Sequence, residues 1–238
     1  MARSKPAPVA PLKLLTTNAV RGSLEELLPA FERQAKRKVE AFYYSTNQMM
    51  DLIKGGETAD VVILTGPALD ELARQGSVVQ GSRTDLASTG IGVCVRRGAP
   101  RPDISTLDAF KRALLNAKSI AHTTTGQSGV YFSGLIERLG IGTQVRAKAR
   151  TQPGGIVGET VARGDAEIGI QQISEIYAAS GADLVGPFPA EIQKFTVFSA
   201  GLFAGTRQEE AAQSLIQFLK TPASARVMKA KGLEPVKK

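Results

Sequence analysis

The sequence predicts an α/β protein of two doubly wound lobes, joined by a hinge of two crossing strands. Three observations carry that expectation. Short apolar runs alternate with helical patterns along almost the whole chain, the signature of strands covered on both faces by helices. No repeat, low-complexity stretch or flexible linker interrupts them, so any passage between lobes is made by ordered chain, with Leu86–Val93 and Thr196–Phe203 as the candidates. Four strand ends carry small hydroxyl or amide residues where a helix begins, and the carboxyl ends of strands are where such folds hold ligands.

Taken in order, Leu12–Leu15 is a short apolar strand, and Ser23-Leu24-Glu25-Glu26 has the capping-box pattern that opens a helix. Pro29 inside that helix is expected to kink it or set its start. Val39–Tyr44 and Asp60–Leu64 read as strands, with a helix from the Ser45-Thr46-Asn47 caps to Lys54 between them. A helix led by Pro67 runs to Gln75, Gly90–Arg96 is a strand, and Asp108–Asn116 is a helix. Ser119–Ala121 is a strand that leads into a polar loop and a helix ending at Gly140, where glycine supplies a C-cap. Thr160–Arg163 is helical, Ala166–Ile170 and Phe195–Phe203 are strands, and helices over Glu209–Leu219 and Ala223–Lys231 close the chain.

The bulk properties narrow the chemistry. The 238 residues can bury a sizeable core, and 42% of them are hydrophobic. No stretch approaches the roughly 20 apolar residues of a membrane span. A net charge of +8 favours an anionic partner. Tryptophan is absent and aromatics make up 5%, which offers no base-stacking platform, so nucleic acid is not expected as a partner. The single Cys94 lies in the apolar run Ile91–Val95 and reads as a buried strand residue. With one histidine, His122, and one cysteine, no metal cluster is expected, and no cofactor motif is present. Met1–Pro11 carries Arg3, Lys5 and three prolines but no apolar core of a signal peptide. The expected location is therefore periplasmic if a leader has been removed, and cytoplasmic otherwise.

The candidate ligand-binding residues come from the polar strand ends. They are Thr17 and Asn18 in the first loop, with Arg21 as a carboxylate clamp, and Thr46 and Asn47 in the second. Thr125, Gln127, Ser128 and Gly129 come from the third, and Gln171 and Gln172 from the fourth. Helix N-termini offer unpaired N–H groups to anions, and hydroxyls and amides add neutral donors. Each such residue also serves as a routine helix cap, and only their recurrence argues for a ligand. His122 ends a strand beside the third loop and reads either as a structural histidine or as a group facing the ligand.

The segments Leu27–Glu32, Gly56–Val62, Ile136–Gly140 and Arg163–Ile170 resemble the type II periplasmic solute-binding proteins, within them the molybdate-binding branch. The resemblance covers about Leu12 to Gly232 and implies the periplasmic-binding-protein-like II fold. Lobe 1 would be residues 1–87 plus 205–238, and lobe 2 residues 88–204. It implies a monomer that delivers a small anion to the membrane component of an ABC-type importer. Carried over by position, the family's first serine falls near Ala19, its second near Thr46 and its binding tyrosine at Gln172. The loop before the last helix of lobe 2 falls at Pro153-Gly154-Gly155, which adds Gly154 to the candidates. The scaffold matches molybdate binders while this lining departs from theirs, and a small organic carboxylate fits it as well as an oxyanion. Enzymes resembling aconitate isomerase share the scaffold and shift a proton and a double bond without a cofactor. In that alternative, His122, Glu175 and Tyr131 are the candidates for the proton-transferring group.

Overall fold

The computed structural model describes residues 10–236. The N-terminal stretch without a signal-peptide core thus lies outside the described residues except for Ala10 and Pro11, and so do the last two lysines.

The chain builds two sheets. It opens with β1 (Leu12–Thr17), α1 (Arg21–Ala35), β2 (Val39–Tyr44), α2 (Thr46–Lys54), β3 (Val61–Thr65) and α3 (Gly66–Arg74). β4 (Thr84–Thr89) completes this part, and after Gly90 the chain enters the second sheet at β5 (Ile91–Arg96). There follow α4 (Leu107–Asn116), β6 (Ile120–Thr123), α5 (Gln127–Arg138), α6 (Gly142–Arg146) and β7 (Ala149–Gln152). Next come α7 (Val157–Arg163), β8 (Ile168–Gln172), α8 (Ile173–Ala178) and β9 (Ala182–Pro187). Residues 188–195 return to the first sheet, which gains β10 (Thr196–Leu202), α9 (Glu209–Leu219), α10 (Pro222–Ala230) and β11 (Glu234–Pro235).

The first sheet has the order β11-β4-β10-β3-β1-β2 and the second β7-β6-β8-β5-β9. β1 runs parallel to β2 and β3, and β6 parallel to β7 and β8. The strands beside the passages between sheets run the other way: β10 is antiparallel to β3 and β4, and β5 to β8 and β9. The sheets are therefore mixed. A strand that arrives from the other lobe enters its sheet from the opposite end. Residues 196–202 belong to the first sheet. The chain crosses at Gly90 and again before Thr196.

Strand alternation explains why both faces of each sheet are apolar. Leu14, Val61 and Ile63 face Leu24, Phe31 and Leu215 on one side of the first sheet. Leu15, Val62 and Leu64 face Met49, Leu69 and Leu72 on the other. In the second sheet, Val93, Ile120 and Ile170 pack on Phe110 and Phe132, and Cys94 with Ala121 packs on Val157 and Ile176. Cys94 is fully buried and burial pushes its thiol up to about 12, so it behaves as a packing residue.

Two local expectations change. The Ser23 capping-box pattern does not open α1, because a short 3-10 turn over Asn18–Val20 precedes it and the helix starts at Arg21. Pro29 lies inside α1, which continues past it to Ala35 at the loss of one backbone hydrogen bond. Four short elements, α6, β7, β9 and β11, were not foreseen from the sequence.

Candidate functional site

The polar strand ends of the two sheets meet in one narrow cleft. The first-sheet wall consists of Thr17, Asn18, Ala19, Ser45 and Thr46, with Phe198 of β10 as an apolar floor. The facing wall consists of Thr123, Gly126, Gln127, Gly154, Gly155, Gln172 and Glu175.

Each loop is held by its own backbone chemistry. At the end of β1 the Thr17 hydroxyl accepts a hydrogen bond from the Ala19 N–H at 3.4 Å and caps the 3-10 turn. At the end of β2, Ser45 and Gln48 form a reciprocal capping box that opens α2. The Ser45 hydroxyl accepts from the Gln48 N–H at 3.3 Å, and the Gln48 Oε1 accepts from the Ser45 N–H at 3.0 Å. After β6, Gly126 caps α5, and Gly129 packs so closely on the Thr123 carbonyl that no side chain fits between them. Gln171 holds the loop before α7: its Oε1 accepts from the Val157 N–H at 2.6 Å and its Nε2 donates to the Gly155 carbonyl at 2.7 Å. Gln172 caps α8 by position and donates from Nε2 to the Thr196 hydroxyl at 3.1 Å, which ties this wall to β10.

Of the twelve candidates read from the sequence, Thr17, Asn18, Thr46, Gln127, Gly154 and Gln172 line the cleft. The other six lie elsewhere. Arg21 pairs with Glu25 at 2.8 Å and lies over the Tyr43 ring, where a partly exposed ion pair adds little. Asn47 is exposed on α2. Thr125 stands at the rim, where its hydroxyl shares a hydrogen bond of 2.8 Å with that of Ser45 across the two lobes. Ser128 and Gly129 are buried behind the third loop, and Gln171 supports the fourth from behind.

Strand alternation separates His122 from the cleft. Thr123 points inward, while His122 packs edge-on against Phe132 and bonds through Nδ1 to the Thr123 carbonyl at 3.0 Å. Burial lowers its pKa, and it opens onto a separate hollow beside Thr124, Ser133 and Arg146. Tyr131 donates to the Ile192 carbonyl at 2.9 Å and does not line the cleft. A wider hollow near Arg101, Arg112 and Glu167 lies at the start of β8, the opposite end from the cleft.

Glu175 is the one ionisable side chain among the lining residues. It sits in the first turn of α8 and is only 8% exposed. Burial pushes its carboxyl up to about 8, against the backbone N–H of Gln172 and the Gln171 side chain, which favour the charged form. Two further buried polar atoms of the lining, Thr123 Oγ1 and Gln172 Oε1, have no hydrogen-bond partner. Such atoms are costly to bury unpaired, and their position in a cleft marks them as partners for a ligand. Ser45 joins the lining residues expected from the sequence, and the Ser45-Thr46-Asn47-Gln48 capping box is the signal that marks it. Glu175, a candidate proton-transferring group by sequence, lines the cleft as well.

The fold and this cleft together define a two-lobed binding protein whose polar strand ends face one another across a gap. Residues 12–234 match the family described as bacterial extracellular solute-binding proteins, and the chain belongs to that family. An aconitate isomerase of Pseudomonas sp. is 37% identical over 235 residues, covering 96% of this chain and 89% of that protein. The molybdate-binding protein ModA of Azotobacter vinelandii is 25% identical over 220 residues, 88% of this chain and 84% of that protein. The solved periplasmic molybdate-binding protein of the same organism superposes with a TM-score of 0.78 at 20% identity, covering 95% of this chain and 99% of that one. The sulfate-binding protein SubI of Mycobacterium tuberculosis gives 0.76 at 15% identity, over 96% and 88%. No described helix is long and apolar enough to cross a membrane.

Proposed function

We propose that the cleft holds a small organic acid carrying two or three carboxylates between the two lobes. The observation that carries this is the lining itself. Hydroxyls, amides and the first N–H groups of α2 and α5 converge there, and no cationic side chain does. Neutral donors at helix starts stabilise an anion without a formal counter-charge. The lining also carries the Gln172 amide and the Glu175 carboxyl, which donates when protonated and extends the donor set along the second wall. The ligand contacts would be Thr17, Asn18, Thr46, Gln127, Gly154 and Gln172, with Ser45, Thr123 and Glu175 added. The lobes would divide at Gly90 and before Thr196. A monomeric periplasmic receptor feeding an ABC-type importer is the role that fits the family. Thermal-shift screening with molybdate, sulfate, citrate, tricarballylate and cis-aconitate tests the reading. Stabilisation by the carboxylates above the oxyanions is expected, and the reverse order overturns it.

A second reading has its own support. A buried carboxyl that titrates near neutrality in a ligand cleft is equipped to move protons, and the 37% identical relative is an isomerase. The protein would then remove a proton from a methylene of the bound acid with ionised Glu175 and return one at the far end of the shifted double bond. Proton NMR of cis-aconitate with the protein in deuterated water decides this. New vinyl signals with deuterium incorporation support the isomerase, and an unchanged spectrum at high protein concentration excludes it for this substrate.

A further inference from the structure

We infer that the cleft takes up its anion together with a proton, and that Glu175 is the residue that carries it. The inference rests on the first reading above, in which the cleft binds an anion without converting it. Its basis is the charge arrangement of the lining. An ionised Glu175 would face a bound carboxylate across a small, poorly solvated space, with no cation among the lining residues to offset the repulsion. A protonated Glu175 is instead one more neutral donor in a wall of neutral donors.

Among the described residues, the surroundings offer no other partner. α1, α7, β5, β8 and β9 pack on α8, and residues 231–232 lie against it. Their ionisable groups are engaged or outward. On α1, Arg21 pairs with Glu25 and Glu26 with Lys231, while Glu32 is held by Lys38 and Arg33 is exposed. Glu159 and Arg163 on α7 and Arg96 on β5 are exposed, and Asp183 on β9 faces Arg97 and Arg101. α8 itself adds the exposed Tyr177, and β8 adds none. The influences on Glu175 are burial and its two neighbouring amides, so an arriving anion acts directly on this carboxyl.

Isothermal titration of the full chain with tricarballylate, in buffers of different ionisation enthalpy, tests the idea. Above the free carboxyl's pKa of about 8, close to one proton should be drawn from buffer per anion bound. Affinity should weaken there by about tenfold per pH unit. Well below that pKa the buffer-dependent heat should vanish. Glu175→Gln should bind with no proton uptake at any pH and no loss of affinity at high pH. Buffer-independent heats in the wild type overturn the inference and leave anion binding intact, whereas no binding of any carboxylate overturns the underlying reading. Uptake that persists in the variant assigns the proton elsewhere and also overturns it. Should the variant not fold, a carbon-13 NMR titration of the wild-type glutamate carboxyls decides: one buried resonance must shift its midpoint upward when tricarballylate is added.

Discussion

The two walls of the cleft are built from similar residues and prepared for different tasks. On the first-sheet wall the hydroxyls of Thr17 and Ser45 are already spent on capping the turn and helix they introduce. On the second, Thr123 Oγ1 and Gln172 Oε1 are buried without partners, and Glu175 is held close to neutrality. A satisfied cap is rigid and contributes shape, whereas an unsatisfied atom contributes selectivity, because leaving it unpaired costs about 1–3 kcal/mol. The second wall therefore discriminates among ligands, and the first presents a fixed surface to them.

The largest test of that division lies in the glycines. Gly129→Ala drives a Cβ into the Thr123 carbonyl, a backbone group that cannot swing aside. Loss of several kcal/mol and of all ligand binding is expected, read by thermal denaturation and titration. The matching change on the first side, Gly22→Ala, meets nothing nearer than the Ala178 Cβ at 3.4 Å. It should leave binding intact and alter stability by less than about 1 kcal/mol. Equal damage from both would remove the distinction.

Next in size is the pH dependence of folding. The folded pKa of Glu175 lies above its unfolded value of 4.5, at about 8. The folded state thus holds the proton more tightly, and its stabilising share is complete below the unfolded value and lost as pH rises through the folded one. Each unit of separation is worth about 1.4 kcal/mol. Melting temperature should therefore decline across that window in the wild type and stay level in Glu175→Gln, as followed by circular dichroism.

Binding contrasts between single side chains are smaller. Gln172→Leu strands the Thr196 hydroxyl and removes a polar amide from the lining, so affinity should fall by on the order of 100-fold. Thr17→Ala should cost about tenfold or less, since that hydroxyl is already committed. Ser45→Ala should cost about 1 kcal/mol of stability from the lost cap.

Much of the architecture was legible because doubly buried strands must be continuously apolar, as in Val61–Leu64, and because strong helices announce their caps. The short β9 and β11 were not, since Ala182–Pro187 and Glu234–Pro235 contain glycine, proline or charge and take their form from pairing with β5 and β4. At the site, the sequence located the loops, whereas the inward and outward positions within each loop depended on local phase. Thr123 and His122 are neighbours with opposite outlooks. Gln171 and Gln172 likewise divide into a support and a lining residue. The role of Glu175 depended on how deeply α8 is covered, which is a tertiary property with no local signal.

The hydroxyl pair of Ser45 and Thr125 at the rim bears on timing. A gap fastened by a direct bond between its lobes admits a ligand only after that bond has opened, a step that involves one molecule alone. Observed association rates should then rise with ligand concentration, level off at the opening rate, and reach a higher ceiling when either hydroxyl is removed.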